Sequence, residues 1–81
     1  MRGYLIKASI IGGTHEGETY YLRKGGYVIT RPDGGWCAED LYKTEGAAKT
    51  VATKWNRRND YYQRMGCTTV EPTKYEAVEV A

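Results

Sequence analysis

"YKTEGAAKTVATKWNRRNDYYQRMG", residues 42–66, decides the fold, because its spacing is that of one long amphipathic helix. Thr44 offers a side-chain oxygen to cap the first turn, and Gly66 is a residue type at which helices commonly end. Apolar residues recur at intervals of three and four and so share one helix face; they are Ala48, Val51, Ala52, Trp55 and Tyr62. The stretch predicts a helix over residues 44–65 that lies close to a sheet, with Trp55 as its large anchor.

One polar residue interrupts this apolar face. Asn59 falls at the same angular position as the small residues that are predicted to pack on the sheet. We therefore expect the helix to bend, fray or end near Asn59.

The first forty residues show the alternation of apolar and polar positions that is typical of strands, separated by glycine-rich breaks. Glycine pairs suit tight turns because glycine accepts positive φ angles. Turns are predicted at Gly25–Gly26 and at RPDGG, residues 31–35. Strands are predicted at residues 4–11, 18–23 and 27–31, and GWCAED, residues 35–40, is expected to form a short fourth strand.

After the helix, residues 67–72 and 75–81 have extended character. Each face of the last stretch carries one glutamate, so we expect a half-buried edge strand there. The chain is thus predicted to be a single α+β domain over residues 1–81. It would be an antiparallel β-meander of 4–6 strands with one long α-helix packed on one face, in β-β-β-β-α-β order.

Length and composition set the class of protein. The 81 residues carry 12 basic and 10 acidic side chains, a net charge of +2, and 41% of them are hydrophobic. No apolar run approaches the roughly 18 residues of a membrane span, and Lys7 interrupts the apolar N-terminal stretch, which indicates a strand and not a signal peptide. We expect a cytoplasmic protein with no membrane partner.

The two cysteines, Cys37 and Cys67, would be kept reduced in the cytoplasm. A disulfide is compatible with their number. We expect buried free thiols, because cysteine behaves as a small apolar residue.

The basic excess belongs to the helix. Residues 44–66 hold five basic and two acidic residues, a net +3, while residues 1–40 are neutral. At about 100° per residue one helix flank collects four cations and a tyrosine; the predicted partner-binding residues are Lys54, Arg57, Arg58, Tyr61 and Arg64. This flank is either a contact surface or a solvated face whose charges the acidic last strand neutralises.

Residues for catalysis or metal binding are few. The one histidine, His15, lies in GGTHEGE, residues 12–18, with two glutamates, which is a poor metal site and reads as a solvated hairpin tip. Ser9 lies within a predicted strand and lacks an evident base. The glycine pairs lack the pattern of a phosphate-binding loop. We expect no enzyme activity, no cofactor and no metal.

The stretch WCAEDLYKTEGAAKTVATKW, residues 36–55, resembles the strand-to-helix junction of small sheet-plus-helix modules such as integrase arm-binding domains. That resemblance implies DNA contact through the sheet. In size and in its many tyrosines and glycines, the chain is also similar to small phage-encoded accessory proteins, including inhibitors of bacterial defence systems.

These observations predict a small non-enzymatic binding module that acts by protein–protein contact, as a phage-encoded inhibitor of a host or defence protein would. Eight tyrosines and two tryptophans with no phenylalanine favour a contact surface. A homodimer is compatible with a sheet that has one uncovered face. The alternative is a nucleic-acid-binding domain that uses the basic flank of helix 44–65.

Overall fold

A computed structural model of the chain describes residues 3–26, 28–29, 37–67 and 69–80. It confirms an α+β fold with an antiparallel sheet and one long helix. A 3₁₀ turn, Ala38–Asp40, precedes the helix. The regular elements are β1 (Gly3–Ile10), β2 (Thr19–Leu22), β3 (Val28–Ile29), α1 (Glu45–Arg64) and β4 (Thr73–Val80).

The sheet is centred on β1. Its strands lie in the order β3-β2-β1-β4, and every neighbouring pair is antiparallel. β4 pairs with β1 along its whole length, from Gly3 opposite Val80 to Ile10 opposite Thr73. β3 contributes only two described residues, so three strands form the body of the sheet. Because β4 pairs with β1, the last strand of the chain lies beside the first.

The predicted fourth strand, residues 35–40, is wrong in its second half, and the predicted number of 4–6 strands and their β-β-β-β-α-β order are not confirmed. Ala38–Asp40 form the 3₁₀ turn because the Asp40 carboxylate binds locally: it accepts a hydrogen bond from the Cys37 backbone N–H at 3.0 Å and one from the Arg23 guanidinium at 3.1 Å. Residues 35–36 and the RPDGG turn at 31–35 lie outside the described residues, as do residues 27, 30 and 31 of the predicted third strand.

Other boundaries of the sheet differ by a few residues. β4 begins at Thr73, two residues earlier than predicted, and the described part of 67–72 forms no strand. Gly25 and Gly26 have φ angles of 94° and 86°, which confirms the predicted tight turn after β2.

Both faces of the sheet carry a buried cluster. On the α1 side, Ile6 and Leu22 pack against Ala48 and Ala52 of the helix, whose small side chains let it approach closely. The opposite face buries three aliphatic side chains together; they are Leu5, Leu41 and Val80. Sequence patterning predicts the helix side of the first cluster, Ala48 and Ala52, while the second cluster depends on the 37–43 segment returning to the sheet.

Both ends of α1 have the predicted caps. The Thr44 hydroxyl oxygen accepts a hydrogen bond from the Ala47 N–H at 3.1 Å. At the other end, Gly66 has φ 74° and its N–H donates to the Gln63 carbonyl, while the Cys67 N–H donates to the Tyr62 carbonyl. This pair of bonds is the Schellman motif, which satisfies carbonyls that the helix end leaves unpaired.

The expected break at Asn59 does not occur. The helix continues to Arg64, and Asn59 is buried, with 8% of its surface exposed. Its amide nitrogen donates to the Glu71 carbonyl at 3.0 Å, and its amide oxygen accepts from the Thr73 N–H at 3.1 Å. A buried polar side chain costs little when its hydrogen bonds are made, so Asn59 joins the helix to the sheet.

Two neighbours on α1 act in the same way. Asn56 donates to the Tyr75 carbonyl and accepts from the Tyr75 N–H, both at 2.8 Å, and Gln63 donates to the Val70 carbonyl at 2.7 Å. Asn56, Asn59 and Gln63 are spaced three and four residues apart, so they share one side of the helix. We call these three residues the amide stripe. The amide stripe bonds to the main chain of two adjoining regions: the segment just before β4, and β4 itself, at the edge that faces away from β1.

The cysteines are free thiols, but the prediction that they are buried is wrong. Cys37 is exposed and Cys67 is half-buried. Cys37 lies at the start of the 3₁₀ turn, where its thiol is 3.4 Å from the Asp40 carboxylate. Its position in a turn, not in a strand, explains its exposure.

Candidate functional site

The five predicted partner-binding residues all lie on the solvent side of α1 and are exposed. Arg58 borders the packed face of the helix, whereas Arg64 lies about 120° further round the helix axis. Tyr61, between them, leaves 55% of its surface exposed, and the neighbouring Met65 leaves 67%. We call Lys54, Arg57, Arg58, Tyr61 and Arg64 the cationic flank.

The charges of the cationic flank divide into two groups. Arg64 forms an ion pair with Asp60, one turn earlier, at 2.7 Å. Within the described part of the chain, Lys54, Arg57 and Arg58 form no ion pair with the acidic last strand or with any other carboxylate. Three cations are therefore available to an external acidic group.

Arg58 also forms one side of a concave site. Its guanidinium lies over the Trp55 ring, with 5.1 Å between the guanidinium carbon and the ring centroid. This arrangement is a cation–π contact. A cavity of about 230 Å³ opens beside it. We call this cavity the aromatic pocket; its lining residues are Trp55, Arg58, Asn59, Tyr62, Val70 and Tyr75.

The aromatic walls of the pocket are held by neighbouring rings. Trp55 and Tyr75 lie with centroids 5.9 Å apart and planes tilted by 35°. The Tyr75 hydroxyl is 3.5 Å from that of Tyr20 on β2, and burial raises the pKa of Tyr75. Tyr61 contacts Tyr62 edge-on at 5.8 Å. The flank and the pocket thus form one continuous surface.

Sequence reasoning located the cationic flank but not the aromatic pocket. It assigned Trp55 and Tyr62 to the packed helix face; in the structure Trp55 is half-buried and Tyr62 is exposed. Val70 and Tyr75 come from the C-terminal part of the chain, and no local pattern shows that they reach the helix. The available signal was the use of tyrosine and tryptophan without phenylalanine, which favours rings with one polar, solvent-facing end.

His15 is not a free hairpin tip. Its Nδ1 lies 2.8 Å from the Glu71 carboxylate, and its backbone N–H donates to the other oxygen of that group at 3.1 Å. The loop between β1 and β2 is thereby fixed to the segment that the amide stripe also binds. Ser9 remains within β1, paired with Thr19 and Lys74.

The His15–Glu71 pair predicts a pH-dependent contribution to stability. The hydrogen bond with Glu71, its negative charge and that of Glu18 raise the pKa of His15 above 6.5; this contribution is complete below 6.5 and is lost as pH rises through the raised pKa. The hydrogen bond from His15 lowers the pKa of Glu71 below 4.5, so its contribution is lost as pH falls through the lowered pKa.

The two contributions coincide between pH 4.5 and 6.5. Glu71→Gln should therefore lower the Tm most within this window, and the difference from the unmodified chain should shrink on both sides of it. Thermal unfolding followed by circular dichroism from pH 3 to 9 measures this; Glu16→Gln, in the same loop, is the matched control. A Tm difference that does not change with pH would contradict the prediction.

Within the described ranges, no cluster of three or more histidine, cysteine, aspartate or glutamate side chains is placed to hold a metal ion. Among the same residues, no helix combines the length and the apolar character that crossing a bilayer requires. Comparisons with protein-family models, with curated proteins and with solved structures find no match to the chain.

Proposed function

We propose that this protein is a small non-enzymatic binding module that contacts an acidic surface of a protein partner through the cationic flank. The observation that carries the proposal is that Lys54, Arg57 and Arg58 lie together on one exposed helix surface and, among the described residues, have no acidic partner. A phage-encoded inhibitor that occludes a host or defence protein would use such a surface.

The residue types support a protein interface. Arginine, tyrosine and tryptophan are the side chains that most often dominate binding energy at interfaces. Here Arg58, Tyr61 and Trp55 occur within two turns of one helix. Because Lys54, Arg57 and Arg58 form no ion pair among the described residues, they can pair with carboxylates of a partner without breaking one there. Charge complementarity of this kind also raises the rate of association.

Charge reversal tests the proposal. A binding partner is first captured from cells that express the protein, then purified and titrated against it. Arg57→Glu combined with Arg58→Glu should weaken the affinity at least about tenfold, because truncating or reversing central charged contacts commonly costs more than 1 kcal/mol. The matched control is Lys24→Glu with Lys74→Glu, which changes the net charge equally at exposed sites away from the flank. Equal loss in both variants, or no loss in either, would refute the proposal.

Nucleic acid is the second candidate partner. It is favoured by the same three unpaired cations beside Tyr61, since arginine and lysine bind phosphates and tyrosine stacks on bases. The small net charge of +2 is far below that of most nucleic-acid-binding domains.

Titration with duplex and single-stranded DNA at two salt concentrations separates the two candidates. Phosphate contact should give an affinity that falls steeply with salt and is lost in the Arg57→Glu/Arg58→Glu variant. We expect weak DNA binding in which the flank variant and the Lys24→Glu/Lys74→Glu control do not differ.

A further inference from the structure

We infer that the aromatic pocket receives a single aromatic side chain, flanked by acidic residues, from the protein partner. This inference rests on the proposed function, since it concerns the same partner, and it specifies what that partner must present. It joins the pocket and the cationic flank into one recognition site with Arg58 at the boundary.

The size of the cavity indicates one side chain. At about 230 Å³ it is smaller than the roughly 300–1,000 Å³ typical of sites for drug-sized ligands. A cavity of this size is more suitable for one ring than for a cofactor or a dinucleotide.

The lining indicates that the group is planar and largely apolar. Trp55, Tyr62 and Tyr75 contribute ring surfaces, and Val70 contributes an aliphatic one. The polar side chain at the base, Asn59, already uses its amide nitrogen and oxygen to bind the main chain at Glu71 and Thr73. Its remaining capacity is one amide hydrogen and one oxygen lone pair, and a buried side chain that already makes two hydrogen bonds is poorly free to turn toward the edge of a nucleobase. An aromatic ring gains stacking contacts here and leaves few polar groups unpaired.

The rim indicates that the neighbouring residues are acidic. Arg58 is exposed, lies over Trp55 and forms no ion pair among the described residues. A carboxylate one or two residues from the inserted ring would reach its guanidinium, which can bind both carboxylate oxygens at once. Lys54 and Arg57, further along the same flank, would attract additional acidic residues.

The pocket is formed before any partner binds. Tyr61 supports Tyr62 edge-on, and the Tyr20 hydroxyl lies beside that of Tyr75. Asn56 fixes the main chain of Tyr75 through two hydrogen bonds. Walls that are already ordered reduce the entropy cost of binding.

A short peptide tests the inference directly. The probe is acetyl-Glu-Asp-Phe-Asp-Glu-amide; one analogue replaces phenylalanine by alanine, and another replaces each acid by its amide. Binding to the ¹⁵N-labelled protein is followed by NMR through the Trp55 indole N–H, which is assigned with Trp55→Phe. We expect the acidic phenylalanine peptide to bind at least about tenfold tighter than the alanine analogue, as for an anchor in a pocket.

Variants separate the two halves of the site. Tyr62→Ala removes an exposed wall and should reduce the preference for phenylalanine over alanine. Arg58→Gln should reduce the preference for acidic over amide peptides. The control is Lys24→Gln, at an exposed site outside both the flank and the pocket lining, which should leave both preferences unchanged. Circular dichroism shows whether each variant keeps its helix.

The outcomes distinguish this inference from the proposed function. If the phenylalanine and alanine peptides bind equally, or if neither binds, the pocket inference is overturned, and the charge-reversal test on the captured partner still decides the function. If Arg57→Glu/Arg58→Glu leaves that partner's binding intact, the function fails and the pocket inference, which depends on it, fails too. A single-stranded oligonucleotide that shifts the indole signal when the peptides do not would overturn the inference in favour of a nucleobase.

Discussion

Asn59→Ala is expected to lower the free energy of unfolding by roughly 1.5–4.5 kcal/mol, because it leaves one main-chain donor without a partner, at about 1–3 kcal/mol, and removes one hydrogen bond from a main-chain acceptor, at about 0.5–1.5 kcal/mol. The donor is the Thr73 N–H; the acceptor is the Glu71 carbonyl, which keeps the hydrogen bond that the Thr73 hydroxyl donates to it at 2.9 Å. The loss is large against the roughly 5–15 kcal/mol of a typical domain. Urea unfolding followed by circular dichroism gives the value.

Two matched variants define the cause of this loss. Asn56→Ala removes the same side chain from a half-buried position, where water can replace part of the hydrogen bonding, so its effect should be smaller. Thr53→Ala, on the exposed face of the same helix, should change stability by less than about 0.5 kcal/mol. A loss at Asn59 no greater than that at Thr53 would show that the two hydrogen bonds contribute little.

Leu5→Ala is expected to cost about 2–5 kcal/mol, the range for deleting a fully buried leucine side chain. Leu5 has no exposed surface and packs against Leu41 and Val80 on the sheet face opposite α1. The measurement is again urea unfolding, and Ile11→Ala is the control, since Ile11 leaves 60% of its surface exposed.

The double variant Leu5→Ala/Leu41→Ala measures the contact between these two side chains in the second cluster. If Leu5 and Leu41 are in contact, each single variant already removes the contact that they share. The unfolding free energies lost in the two single variants should therefore sum to more than the loss in the double variant, by about 0.5 kcal/mol or more. Strict additivity would mean that Leu41 does not pack on Leu5 and that this sheet face is open.

The helix could be predicted almost completely because its signals are local. The two helix ends are indicated by Thr44 and Gly66, and the packed face by the recurrence of Ala48 and Ala52. The structure agrees at each of these positions. The short strand expected at residues 35–40 is wrong in its described second half for a local reason as well: Asp40 binds the Cys37 N–H, a competing interaction that alternation of residue types does not reveal.

Asn59 was misjudged because helical spacing shows which way a residue faces and not what it meets. Asn59 donates a hydrogen bond to the Glu71 carbonyl and accepts one from the Thr73 N–H. Only the completed fold brings these two groups to the helix. The same limit applies to the site. The cationic flank lies on one helix and was predicted; the aromatic pocket needs Val70 and Tyr75 from a later segment and was not.

The amide stripe has a consequence for self-association. A second copy that extended the sheet beyond β4 would need the outward N–H and carbonyl groups of Thr73 and Tyr75, and side chains of Asn56 and Asn59 already occupy three of these. Strand addition from another molecule would have to displace those side chains first. Since exposed strand edges are templates for fibril growth, these side chains oppose polymerisation along the first part of the β4 edge, at Thr73 and Tyr75.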